Sequence, residues 1–233
     1  MKKMSELLRE LAPESQKCLE QIVDKAVWDR LDRSVRIGTL TSEMCIRSLG
    51  TIDNGVDYSA AVMPLMKVLE NELTNRFYLP YKAYLRRTYT PDEYININHL
   101  ERLQMNPEDA RKKVLHHNNS GYVYCRDYAR DGVVKFTLGN FQYTAGVDNL
   151  SVKECDETTV RFYMQSVFGT DSDYQKVKEW ICNLAIKVES LVRLRNDSAH
   201  AGIIQSKIDA NTAMDKLIKN DKILLGIIYP SLE

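Results

Sequence analysis

No run of about 18 consecutive apolar residues occurs in the 233-residue chain, so nothing in it reads as a membrane span. The opening MKKMSELLRELAPES has basic residues but no apolar stretch, which argues against a signal peptide. The five cysteines (Cys18, Cys45, Cys125, Cys155 and Cys182) are odd in number, scattered, and never spaced C-x-x-C. That pattern fits free thiols in a reducing cytoplasm best. Neither charge sign dominates: 32 Lys plus Arg face 32 Asp plus Glu, so any contact with nucleic acid must use a local basic patch. The motifs G-x-x-x-x-G-K-[ST], G-x-G-x-x-G and H-E-x-x-H are missing, which removes support for nucleotide hydrolysis and zincin chemistry. Ten glycines and six prolines leave no long linker, low-complexity tract or repeat.

What is present is helical periodicity in a composition typical of soluble globular proteins. Residues 3–12 and 15–32 carry apolar residues at helical spacing, with Pro13 between them as a first-turn residue. Residues 42–49 suggest a short helix ended by Gly50. The strongest early helix spans 58–85, where Val62, Leu65, Met66, Leu69, Leu73 and Phe77 form one stripe. Asp57 or Ser59 is available to cap it, Pro64 sits near its first turn or kinks it, and Pro80 is expected to end or bend it.

Over 88–155 the periodicity weakens and turn residues cluster. This stretch reads as a mostly irregular insertion with a short helix at 107–116. DGVVKFTLGNF (131–141) reads either as a strand or as a buried loop leading into the next helix. Helices return at 157–168, 173–198 and 203–219, and the apolar ending ILLGIIYPSL is expected to dock on the core. The expectation is an all-α fold, with residues 1–54 an N-terminal helical extension and 55–233 a helical domain containing the insertion.

In the 173–198 helix, Val177, Ile181, Leu184, Val188 and Leu191 step by four, three, four and three, and one more step of four reaches Arg195. A guanidinium on a core seam must pair, reach the edge of the core, or face another chain. Asn196 follows directly and His200 comes four residues later, gathering Arg, Asn and His at a helix end. Such a set suits RNA cleavage by attack of a ribose 2′-OH on the adjacent phosphate. Histidine titrates near neutrality and can move the proton. Arginine stabilises the charge that builds on phosphorus. The nucleophile is already tethered beside its phosphate, so the step needs no metal. The plain structural alternative is a helix end closed by Arg-Asn-Asp-Ser, with Arg195 bridging to a Glu and His200 complementing the dipole.

RNDSAHAG resembles the R-x4–6-H signature of HEPN domains, with Arg195, Asn196 and His200 matching R-N-x-x-x-H. Leu69-Glu70-Asn71-Glu72-Leu73 is similar to the opening helix of that family, and FTLGNF (136–141) to a lead-in found in some prokaryotic members. The resemblance covers residues 55–85 and 135–230. It implies a HEPN-like helical bundle that forms a homodimer with a composite active site. It also implies a metal-independent endoribonuclease leaving 2′,3′-cyclic phosphate and 5′-OH ends, with no cofactor, often serving as a defence or toxin effector with an antitoxin or other defence-system partner protein. Arg195, Asn196 and His200 would be catalytic, and Glu70 or Glu72 would support the arginine, Glu70 lying beside the apolar stripe. Arg193 also fits R-x6-H but lies off the seam, and becomes a candidate RNA contact.

Arg86-Arg87 with Tyr84 and Tyr89, and Arg111-Lys112-Lys113, are further candidates for phosphate, with tyrosines stacking on bases. Each stretch reads equally as a solvated helix face. His99, His116, His117 and Cys125 allow a zinc site to be imagined, although adjacent histidines do not suit one metal on a helix, and no metal is expected. Two rival functions remain: a HEPN protein that binds RNA or nucleotides without cutting, and a scaffold subunit of a larger defence complex.

Overall fold

The computed structural model describes residues 4–51, 55–89, 93, 97, 136–147, 154–199 and 204–232. Every regular element among them is helical, and none is long and apolar enough to cross a membrane. The expected all-α class is observed. The chain divides into two compact units, one formed by residues 1–71 and 190–226 and the other by 72–189 and 227–233.

The first unit opens with α1 (Met4–Val23), which runs straight through Pro13. The expectation of two helices separated at that proline is therefore corrected. The break comes instead at Asp24, whose φ of 72° leaves the helical region and whose carboxylate accepts from the Ala26 N–H at 2.8 Å. The short α2 (Lys25–Arg30) follows and buries Trp28. Next, α3 (Arg33–Leu49) starts nine residues before the expected helix and ends at Gly50 as expected. Ser15, Leu19 and Val23 are buried at steps of four on α1, which packs against α3. Val35, Thr39, Ser42, Glu43, Met44 and Ile46 are the buried positions of α3. Only Val35 and Thr39 fall in its first half, which explains why the apolar pattern alone missed that half. Thr39 returns its hydroxyl to the Val35 carbonyl at 2.8 Å, and the Ser42 hydroxyl donates to the Ala61 carbonyl, so both are satisfied while buried.

Ala61 belongs to α4 (Ser59–Leu73). Helices α3 and α4 approach so closely at Gly38 that a Cβ there would overlap the Val68 side chain. Asp57 caps α4, its Oδ1 accepting from the Ser59 N–H at 2.9 Å and hydroxyl at 2.7 Å, and also from the Gln205 N–H at 3.1 Å. Pro64 is accommodated inside α4. Further on, Ser206 and Asp209 form a reciprocal capping box that starts α9 (Lys207–Met214), which packs on α3 and continues into a widened turn at Asp215–Lys219.

In the second unit the expected 58–85 helix continues past Leu73 through another widened π-type turn, Thr74–Tyr78, into α5 (Leu79–Thr88). Pro80 has no N–H to return to the carbonyl four residues earlier, and the widened turn sits directly ahead of it, with the Leu79 N–H reaching back to Thr74. The proline therefore reshapes the helix without ending it. Residues 138–144 form α6 (Leu138–Thr144), so the described end of the stretch read as a strand or buried loop is already helix. Leu138, Phe141 and Ala145 lie three and four apart and are all buried, so helical periodicity was present in a window too short to show it. The expected helix at 107–116 lies outside the described residues.

α7 (Glu157–Tyr163) passes into a third widened turn at Met164–Phe168. α8 (Tyr174–Ala199) is the long seam helix, and Val177, Ile181, Leu184, Val188 and Leu191 are all buried. The chain ends with α10 (Ile223–Ile228), where Ile223, Leu224, Ile227 and Ile228 are buried. Phe77 sits inside the aromatic core of the second unit, stacked on Tyr81 at 5.2 Å and Tyr163 at 5.8 Å and edge-on to Phe141 at 5.1 Å. Gly146 has a φ of +72°, and a Cβ there would overlap the Asp156 carboxyl, so geometry and space both require glycine.

Candidate functional site

The described part of the candidate site lies in the first unit, where the last turns of α8 meet α4. Arg195 occupies the step after Leu191, where the seam leaves the apolar core, and its side chain keeps 25% of its surface in solvent. Its Nε donates to Glu70 Oε1 at 3.2 Å, and its Nη2 lies 3.1 Å from the same oxygen. Its Nη1 donates to Asn196 Oδ1 at 3.3 Å. Glu70 is on α4, distant in sequence, and its side chain is only 10% exposed. An exposed ion pair contributes about 0.2–1 kcal/mol, whereas breaking a buried one costs about 3–5 kcal/mol. Arg195 and Glu70 fall between those limits. The pair therefore holds a guanidinium in one orientation at the edge of solvent, where an anionic ligand can meet it.

Glu72 is also buried but takes a different arginine: its Oε2 accepts from Arg76 Nε at 2.6 Å within the second unit. The open choice between Glu70 and Glu72 is thus resolved geometrically, and Glu70 is the carboxylate that meets Arg195. Arg193 has a 91% exposed side chain and pairs with Asp197 at 3.5 Å, the geometry of a solvated helix face. Asn196 is exposed, and Ser198 returns its hydroxyl to the Leu194 carbonyl at 2.7 Å. Arg86 is exposed in the last turn of α5.

His200, Lys112 and Lys113 lie outside the described residues, as do His99, His116, His117 and Cys125 of the zinc idea. Among the described residues no group of three or more His, Cys, Asp or Glu side chains is placed to hold a metal ion.

Two other charged groups escaped the sequence reading. Glu43 is buried on α3 and accepts from Arg47 Nε at 2.9 Å, with Glu14 of α1 3.8 Å from Arg47 Nη1. On α7, Arg161 pairs with Glu157 through Nε at 3.0 Å and also through Nη2. Both are i, i+4 pairs, a spacing visible in the sequence that carries no hint of its surroundings.

Compared with known proteins, the chain matches no family model, no curated protein and no solved structure.

Proposed function

We propose that this chain is a metal-independent endoribonuclease of the HEPN type, cutting RNA by 2′-OH attack to leave 2′,3′-cyclic phosphate and 5′-OH ends. The observation that carries the reading is the Arg195 guanidinium, fixed between Glu70 and Asn196 at the solvent edge of a core seam. In this scheme Arg195 binds the scissile phosphate and stabilises the charge that builds on it. His200, close along the chain, moves the proton as general acid or base. Asn196 orients the phosphate or the imidazole, and Glu70 positions Arg195 without touching substrate. The reading includes a homodimer that brings two such motifs to one cleft, and a role as a defence or toxin effector held in check by a partner protein.

The test is incubation of end-labelled RNA with the purified chain in excess EDTA. Wild type should cut and His200→Ala should lose at least about a hundredfold in rate, the scale of a general acid–base contribution. Cleavage at the wild-type rate by the variant would sink the catalytic assignment. RNA binding by both proteins without cleavage by either would move the chain to the non-cutting, RNA-binding class.

A further inference from the structure

The second unit carries an arginine–tyrosine surface that no step of the proposed cleavage uses. Helix α7 packs on α5, which brings Arg161 to the end of α5, where Arg86 and Arg87 stand. The Tyr84 and Tyr89 hydroxyls lie 3.1 Å apart, with the rings edge-to-face at 5.8 Å. Phe162, next to Arg161, sets its ring 5.6 Å from that of Tyr84, which places Arg161 beside the tyrosine pair, and both Arg161 and Arg87 act electrostatically on the Tyr84 hydroxyl. Tyr174, at the start of α8, feels Arg161 and Glu157 and is 37% exposed. Arg87 and Arg161 are exposed, while Tyr84 is buried and serves as a base for Tyr89. Glu157 offsets part of the charge through its pair with Arg161, but the cluster stays cationic.

We infer that Arg87, Arg161, Tyr89 and Tyr174 form a binding surface for a single-stranded RNA segment, the arginines meeting phosphates and the tyrosines offering rings to unstacked bases. Charge complementarity selects a polyanion. The exposed Tyr174 and the part-exposed Tyr89 beside the guanidinium groups favour a nucleic acid with splayed bases over a duplex or an acidic peptide. The chain as a whole is neutral, so a local cationic cluster is where such a ligand would concentrate. This inference shares with the proposed function only the idea that RNA is the ligand. It does not need the chain to cut.

The test uses the full chain and a short fluorescent oligouridylate with every 2′-hydroxyl methylated, so that cleavage cannot consume it. Anisotropy is followed across a salt series. Removing both guanidinium groups (Arg87→Gln with Arg161→Gln) should weaken binding by roughly tenfold or more and reduce the salt slope by about 1.4, two single-strand phosphate contacts at about 0.7 each. Tyr174→Ala should lose about fivefold or more, and Tyr174→Phe should retain the wild-type affinity, because the ring supplies the stacking. Arg87→Gln alone, at an exposed position, provides a smaller effect in the same direction if the double variant folds poorly.

Failure of wild type to bind the oligonucleotide, or unchanged affinity and slope in the arginine variants, overturns the assignment. Equal binding of heparin and RNA, with no effect of Tyr174→Ala, overturns the base-stacking part and leaves a general anion surface. Binding that depends on these residues in a chain that never cuts natural RNA upholds this surface while the catalytic reading fails.

Discussion

The two units are built from different materials. Every aromatic ring pair among the described residues lies in the second, where Phe77, Tyr81, Tyr84, Phe141, Phe162, Tyr163, Phe168 and Trp180 form a connected cluster. Even the polar atoms there serve the core: the Tyr81 hydroxyl lies 2.7 Å from the Thr158 hydroxyl and accepts from that of Thr159 at 2.9 Å. The first unit has a mostly aliphatic core, with Trp28 and Tyr58 as isolated buried rings, interrupted by buried Ser15, Thr39, Ser42, Glu43, Glu70 and Gln205, and it holds the Arg195–Glu70 and Arg47–Glu43 pairs. Ring packing costs nothing in desolvated charge, whereas buried carboxylates are retained at an energetic disadvantage. The second unit buries carboxylates too, Glu72 and Asp156, so the contrast lies in the rings: the second unit is held by stacked aromatics and the first by aliphatic packing around buried polar groups.

Alkali should break this contrast most severely. Burial pushes the Tyr84, Tyr163 and Tyr174 phenols above their ordinary range, and the hydrogen bond that the Cys155 thiol makes to Cys182, together with burial, raises the Cys155 thiol. All four belong to the second unit; in the first, Cys45 is raised by burial. A folded state that holds its protons longer than the unfolded chain is fully stable below the unfolded pKa and loses stability as pH rises above it, here from about pH 10 for tyrosine. The second unit should therefore unfold first. Each unit has one tryptophan, Trp28 in the first and Trp180 in the second, so Trp28→Phe and Trp180→Phe chains report the units separately. Simultaneous loss of both signals, or earlier loss of the Trp28 signal, would contradict the expectation. Next in size, Phe77→Ala should cost about 3–5 kcal/mol, read from denaturant unfolding through Trp180.

How much of this was legible in the sequence depended on whether the informative pattern was local. The α8 seam was legible because five apolar residues repeat at helical spacing, and all five are buried. The first half of α3 was not, because its inward positions are only Val35 and Thr39, and the Thr39 hydroxyl satisfies itself on the Val35 carbonyl. Pro13 was over-read, since one missing hydrogen bond does not outweigh a stripe of buried residues on the same helix. At the candidate site the wheel placed Arg195 on the seam edge, but it could not choose between Glu70 and Glu72, two residues apart on one helix. That choice depends on which face of α4 meets α8, a long-range fact. Arg161 and Tyr174 joining Tyr84 and Tyr89 is of the same kind.

The two carboxylates sharpen the contrast at the level of single atoms. Glu70→Gln removes the charge that orients Arg195 and should lower stability by about 1–2 kcal/mol, less than the 3–5 kcal/mol of a fully buried pair because Arg195 keeps part of its side chain in water. It should also slow RNA cleavage about tenfold, with Arg195→Ala slowing it about a hundredfold or more. Glu72→Gln removes only the local pair with Arg76, so stability should fall while cleavage per folded molecule stays unchanged. Equal slowing by Glu70→Gln and Glu72→Gln would remove the special role of Glu70.

The smallest effect expected is the most local. Ser206 and Asp209 satisfy each other at the start of α9, with the Ser206 N–H 2.8 Å from Asp209 Oδ2 and the Asp209 N–H 3.2 Å from the Ser206 hydroxyl. The residue before the cap, Gln205, donates its N–H to Asp57 at 3.1 Å, and its carbonyl accepts from the Tyr58 N–H at 3.0 Å. The capping box therefore also steadies the strip of backbone that pins the start of α4, the helix bearing Glu70. Ser206→Ala should cost about 1 kcal/mol, and Ser206→Asp should restore most of it, since aspartate caps as well as serine. The loss should register at Trp28. If Trp180 reports the same shift, the two units melt as one cooperative body, and a difference in their materials is not a difference in their stabilities.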